Sequence, residues 1–115
     1  MAGYTRIMRK AHSYSRTTLQ VASLLGSRVR EGRLERHWTQ HELADRIGAS
    51  ADTLAKVERG DPTVALGIAL EAARIGGVPL FVEDDARLSI DRDLTNARLA
   101  LLPARARARR VNNDF

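Results

Sequence analysis

Between Ser50 and Arg59, the side chains that a helix would turn outward are short or charged: Ala51, Asp52, Ala55 and Lys56. Leu54 and Val57 fall on its other side. A helix that starts with small or polar outward residues, held across a preceding helix, has what it needs to enter a major groove. Other chemistries find less support. His37 and His41 are four residues apart, a metal-binding spacing on a continuous helix, but a helix starting at Thr39 leaves His37 in the preceding turn with no third ligand in sight. The acids Asp84, Asp85, Asp91 and Asp93 fall where helix caps want negative charge. No histidine has a catalytic partner, and no glycine loop could cradle a phosphate. The expectation is no catalytic residue, no metal and no cofactor.

Local signals outline the elements that must position that helix. Thr39 and Glu42 have the spacing of a capping box, with Trp38 before them in the hydrophobic-staple position. Leu43, Ala44 and Ile47 then form one apolar face. Gly48 suits a helix end, Ser50 caps the next helix, and Gly60-Asp61-Pro62 closes it. Upstream, Thr18 to Arg36 reads as a helix with Leu19, Ala22, Leu25, Val29 and Leu34 at roughly one-turn intervals. Gly26 and Gly32 each weaken it by up to about 1 kcal/mol relative to alanine, so a break near either is open.

Downstream, Thr63 is placed to cap a fourth helix, Val64 to Ile75, with a broad apolar surface ended by Gly76-Gly77. Val78 to Val82 reads as extended, either covering the core, the preferred reading, or forming an edge strand at a dimer interface. Asp84-Asp85 opens a further helical region whose best segment is Asp91 to Leu102, with Ser89 and Asp91 as caps for a second piece. Leu88, Leu94, Leu99, Leu101 and Leu102 are more than so small a core can bury, which suggests pairing with a second copy. Pro103 stops that helix.

The 115 residues suffice for one domain with tails. Apolar content of 43% with only 4% aromatic favours a helical core of Leu, Ala, Val and Ile over a sheet sandwich. A net charge of +5, dominated by arginine, favours a polyanionic partner, most often nucleic acid. With no cysteine, disulfides and thiolate metal sites are excluded. No segment reads as a signal peptide or a bilayer span, so a cytoplasmic location is expected. Arg6, Arg9, Lys10 and Arg16 make the N-terminal stretch a basic arm, either a flexible tail or one that orders on DNA phosphates; Tyr4 and Tyr14 could equally pack on the domain. The tail after Pro103, with Arg105, Arg107, Arg109 and Arg110, should be disordered in isolation. Its mixed ending, basic and then Asn-Asn-Asp-Phe, favours a docking or DNA-contacting role over plain solvation.

The run Thr-Gln-x-Glu-Leu-Ala-x-x-x-Gly-x-Ser-x-x-Thr-Leu-x-x-x-Glu-x-Gly from Thr39 to Gly60 resembles the helix-turn-helix of lambda-repressor-like (Xre-type) DNA-binding proteins, over roughly residues 24 to 80. The resemblance implies an all-α, compact five-helix bundle with flexible basic tails. With the patterns above, the chain divides into an arm (1–15), a DNA-binding domain (16–82), a C-terminal helix for which dimerisation is the expected use (83–102) and a tail (103–115). Position by position the resemblance implies base reading by Ala51, Asp52 and Lys56, and phosphate contacts from Gln40, Ser50, Thr53 and Arg59. It also implies a structural ion pair between Arg33 and Glu58. Lys56 can donate to guanine O6 or N7, and Ala51 offers only a methyl to thymine. Asp52 could accept from cytosine N4, although it repels neighbouring phosphates and could instead pair with Lys56 at i+4.

One copy presents few contacts, so a homodimer on a palindromic double-stranded operator is expected, its half-sites about 34 Å apart. The basic leader, long first helix, Glu58-Arg-Gly-Asp-Pro-Thr-Val-Ala-Leu-Gly67 run and arginine-rich tail ending in Asp-Phe resemble HipB-type antitoxins. That implies a repressor that autoregulates its operon and captures a HipA-like kinase toxin. The alternatives are a stand-alone Xre-type regulator and an interaction scaffold that does not bind DNA, which Asp52 at a reading position keeps open.

Overall fold

The structure, a computed structural model, describes residues 13–80 and 84–105. Among these it is all helical: five helices and no strand. By contacts the chain divides into two units, Met1–Pro79 and Leu80–Phe115.

In the first unit, the Ser15 side chain accepts a hydrogen bond from the Thr18 N–H at 3.1 Å and starts α1 (Arg16–Glu35) slightly earlier than periodicity suggests. The helix runs unbroken through both glycines, which closes the question of a break near either one. Each glycine marks a close approach instead. A Cβ on Gly26 would run into the Val57 and Glu58 carbonyls, and one on Gly32 into the Gly76 carbonyl. The loss of helix propensity is accepted because any side chain there would push neighbouring backbone away. The inward line of α1 is therefore Leu25, Gly26, Val29, Gly32 and Arg33, while Leu19 and Leu34, expected inside, are exposed.

The capping box at Thr39 is complete: the Glu42 N–H donates to Thr39 Oγ1 at 3.0 Å and the Thr39 N–H to Glu42 Oε1 at 2.8 Å. It opens α2 (Gln40–Ile47), which Gly48 closes in the left-handed region at φ 70°. Ser50 then accepts from the Thr53 N–H at 3.1 Å and opens α3 (Ala51–Arg59), closed by Gly60. Helix α4 is Leu66–Ile75, preceded by Ala65, which makes no side-chain cap bond. Thr63 does not cap it. Its N–H and hydroxyl both donate to Asp61 Oδ1, at 2.8 and 2.6 Å, so the threonine is spent inside the preceding turn.

Val29, Leu43, Ala44, Leu54, Val57, Ala72, Ala73 and Val78 form the core, with Leu25, Trp38, Ile47, Val64, Ile68 and Ile75 around it. Full burial of a leucine such as Leu43 or Leu54 is worth about 1.5–3 kcal/mol. Leu66 and Leu70, part of the apolar surface expected of α4, are exposed. Val78 covers the core, its N–H bonded to the Ala73 carbonyl at 2.8 Å.

In the second unit, Asp84 accepts from the Ala86 N–H at 2.9 Å and starts α5 (Asp85–Ala100). The helix is continuous through Ser89 and Asp91, so neither caps a second piece; no glycine or proline lies there to let the chain leave the helix. An Arg87–Asp91 ion pair of 3.3 Å spans the expected junction. The helix ends before Pro103, with Leu101 as its cap. None of its residues is buried. The expectations for Tyr4, Arg6, Arg9, Lys10, Phe81, Val82, Arg107, Arg109, Arg110 and the Asn-Asn-Asp-Phe ending lie outside the described residues. Tyr14 is half-buried.

Candidate nucleic-acid interface

Helix α3 is fixed from behind by a buried charge cluster. Arg33 Nε donates to Glu58 Oε2 at 2.7 Å and Nη2 to Oε1 at 3.0 Å, a two-point contact of planar groups. The remaining arm, Nη1, donates to the Trp38 carbonyl at 2.8 Å. Gln40 Nε2 adds a bond to Glu58 Oε1 at 3.1 Å. Arg33 and Glu58 are only 7% and 9% exposed, so each charge depends on the other: a buried ion left without its partner costs about 3–5 kcal/mol. The cluster ties the end of α1, the start of α2 and the last turn of α3 into one rigid group.

With the inner side held, the outer side of α3 is settled by helical spacing. Leu54, Val57 and Glu58 are buried, whereas Asp52, Lys56 and Arg59 are exposed and Ala51 and Thr53 are half-buried. No ion pair joins Asp52 to Lys56 among the described residues, so both side chains are free to meet a partner. Ser50 and Thr53 are bound to each other: the Ser50 hydroxyl donates to Thr53 Oγ1 at 2.9 Å while capping the helix. Gln40 is half-buried at the first turn of α2, with one amide N–H given to Glu58 and the rest of the carboxamide uncommitted. The structure thus gathers Asp52, Lys56 and Arg59 along one exposed line, with Ala51 half-buried beside its start. Gln40, Arg33 and Glu58 form the network behind it.

Some neighbours were not singled out by the sequence. The Arg46 guanidinium lies 4.1 Å from the centre of the Trp38 ring, and Arg36 lies 5.9 Å from it, both within cation–π range. Arg36 Nη1 also donates to the Gly32 carbonyl at 3.1 Å. The staple tryptophan is therefore pinned by arginines of α2 and of the α1–α2 turn. A tryptophan just ahead of a cap, followed two helical turns later by an arginine, is the signal that could have found Arg46. Just beyond α3, the Asp61 carboxyl is held below its ordinary value by the Thr63 hydroxyl, then by the Thr63 N–H, with the Lys56 and Arg59 charges adding to the effect. His37 sits in the α1–α2 turn at φ 60° and His41 on α2. Among the described residues no group of three or more His, Asp or Glu side chains is placed to hold a metal ion. No helix there is long and apolar enough to cross a membrane.

Residues 29–82 match a family model described as helix-turn-helix. The matched span holds most of the Arg33 half of α1, all of α2, α3 and α4, and every residue of the charge cluster. No curated protein and no solved structure matches the chain significantly.

Proposed function

From an Xre or lambda-repressor-like helix-turn-helix domain at residues 29–82, we propose that the chain is a sequence-specific transcriptional repressor that binds a palindromic operator as a homodimer. The observation that carries this reading is the division of α3. Its inner side is locked by Leu54, Val57 and the Arg33–Glu58 pair, while Asp52 and Lys56 stand exposed on its other side with no ion pair among the described residues.

In this reading Ala51, Asp52 and Lys56 meet base edges. Lys56 donates to a guanine, Ala51 packs on a thymine methyl, and Asp52 accepts from a cytosine amino group. Gln40, Ser50, Thr53 and Arg59 hold the phosphates on either side and set the register. The basic leader, long first helix, Glu58–Gly67 run and arginine-rich tail resemble HipB-type antitoxins. In its specific form the proposal is therefore an antitoxin that represses its own operon and neutralises a HipA-like kinase toxin. A kinase gene beside this one, whose product co-purifies with the chain, supports that form; an unrelated neighbour leaves a stand-alone regulator.

Fluorescence anisotropy on the chain's own promoter and on random duplex tests the function. Promoter binding should be the tighter and should weaken steeply with salt. Lys56→Ala should lower promoter affinity by about 1–3 kcal/mol and relax specificity at one base pair. Equal affinity for both duplexes, or an unchanged affinity in Lys56→Ala, would overturn the reading in favour of a scaffold.

A further inference from the structure

Helix α5 buries nothing, yet Ile90, Leu94, Ala97 and Leu101 follow one another at steps of four, three and four residues, the rhythm of a helix-pairing seam. Ile90 and Leu94 are about half exposed, and Leu101 is 86% exposed. The other apolar line on this helix, through Leu88 and Leu99, is interrupted by Arg92 and Thr95. Thr95 anchors a polar spot there: its hydroxyl donates to the Asp91 carbonyl at 2.9 Å and accepts from Arg98 Nη2 at 3.2 Å. Only the Ile90 seam is apolar from end to end.

We propose that this seam pairs antiparallel with the same seam of a second copy, Ile90 against the partner's Leu101 and Leu94 against the partner's Ala97. The proposal deepens the homodimer reading above by naming its surface and direction. Side-chain size points one way. A parallel pair would set Ala97 against the partner's Ala97 and leave a gap, whereas the antiparallel pair fills each alanine site with a leucine. Charge at the seam's end agrees. Arg87 extends the seam one step before Ile90, so parallel pairing would bring it against the partner's Arg87, and antiparallel pairing carries it beyond the partner's Leu101.

The flanks complement each other in the same direction. Asp84, Asp85 and Asp91 weight the start and first half of the helix, and Arg98 and Arg105 the second half and the chain just beyond it, with Arg87, Arg92 and Asp93 as the exceptions. This gradient also suits the helix dipole, so by itself it does not choose a direction. Asp91 and Arg98 are seven residues apart on one flank, however, and the antiparallel register sets the Asp91 carboxylate, which holds Arg87 of its own chain through Oδ1 at 3.3 Å, across from the partner's Arg98 as well. Among the described residues Arg98 has no carboxylate partner in its own chain.

The chain has no cysteine, so an introduced thiol is the sole one and disulfide trapping reads the direction. Full-length Ile90→Cys and Leu101→Cys variants are oxidised separately and mixed. Trapping needs Cα atoms within about 7 Å, and antiparallel pairing keeps the two copies of residue 90 about 16 Å apart along the axis. The expected result is a covalent dimer in the mixture and none in either variant alone. Self-linking of Ile90→Cys would overturn the proposal in favour of a parallel pair. No linkage in a chain that sediments as a dimer would overturn it in favour of another surface, and a chain that stays monomeric would overturn it outright. In an Arg87→Ala background, which removes the intrachain partner of Asp91, Asp91→Arg should weaken dimerisation by about three- to tenfold, given two exposed bridges per dimer, and Asp91→Arg with Arg98→Asp should restore it. An unrestored double variant would overturn the pairing of flanks. None of these measurements involves DNA, so a failure here and a failure to bind the promoter are distinguishable.

Discussion

Helices α3 and α5 begin alike, each with a short polar side chain accepting from a free N–H of its first turn. Both carry aliphatic residues at helical spacing. Yet α3 hides Leu54 and Val57 completely or nearly so, and α5 leaves Ile90, Leu94 and Leu99 in solvent. The difference lies in what is brought against them. Gly26 lets the backbone of α1 settle onto the last turn of α3, and Arg33 supplies the cation that lets Glu58 be buried there. An apolar stripe becomes a core only where another element is shaped and charged to receive it. Most helical stability in a protein comes from that packing rather than from propensity.

The contrast predicts where the chain is brittle, and Trp38, the sole tryptophan, is placed at the charge cluster to report it. The largest effect should follow Glu58→Ala, which strands a buried guanidinium and should cost about 3–5 kcal/mol in urea unfolding followed by Trp38 fluorescence. The matched change on α5, Arg98→Ala, should stay within about 0.5 kcal/mol in the same assay. Equal effects would break the distinction between the two regions. Next comes Leu54→Ala, with a loss of about 2–5 kcal/mol from the cavity it opens. Leu99→Ala removes the same atoms from an exposed site outside the proposed seam and should again change stability by less than about 0.5 kcal/mol. A large loss from Leu99→Ala would show that α5 is covered in the folded chain.

How far this architecture is legible in the amino-acid sequence follows the range of each interaction. The α2–α3 pair is readable because its determinants are local: Thr39 with Glu42, Gly48, Ser50 with Thr53, and Gly60 all act within a few residues. The start of α4 misleads for an equally local reason, since Asp61 competes for the Thr63 amide and hydroxyl and wins. Gly26 and Gly32 look like weak points because the backbones that require them belong to residues 57, 58 and 76. The Gln40–Glu58 bond spans 18 residues and the Arg33–Glu58 pair 25. No periodicity carries such links, and only the family resemblance pointed to the second. For the interface, the sequence singles out Asp52 and Lys56 on α3, while Arg46 over Trp38 leaves only the spacing of a tryptophan before a cap and an arginine two turns on.

A smaller effect tests the capping box that opens the first helix of the pair. Thr39→Ala removes the acceptor for the Glu42 N–H and should lower stability by about 1 kcal/mol. Glu42→Ala, which removes the reciprocal acceptor of the Thr39 N–H, should give a loss of the same order. If neither variant shifts the urea midpoint, the start of α2 is held by Trp38 packing rather than by its cap.

The smallest effect separates the turn after α3 from everything behind it. Asp61 is held ionised chiefly by the Thr63 hydroxyl, then by the Thr63 N–H, with the Lys56 and Arg59 charges adding to both. Its folded value therefore lies below the ordinary 3.8. A carboxyl depressed on folding stabilises the fold in full above its unfolded value, and the contribution disappears as pH falls through the folded one. The turn should thus be intact at neutral pH and loosen only under acid more extreme than an ordinary aspartate requires. NMR titration of the Asp61 side chain should show the lowered midpoint, and Thr63→Val should raise it by removing the largest cause. A midpoint at or above the ordinary value, or one indifferent to Thr63→Val, would mean that the two hydrogen bonds at Asp61 Oδ1 do not persist in solution. The Asp61 carboxylate is hydrogen-bonded to Thr63 and not to the Arg33–Glu58 cluster, so the same titration should leave that cluster and Trp38 fluorescence unchanged. A change in either would show the turn and the cluster melting as one, and would erase the boundary drawn between them.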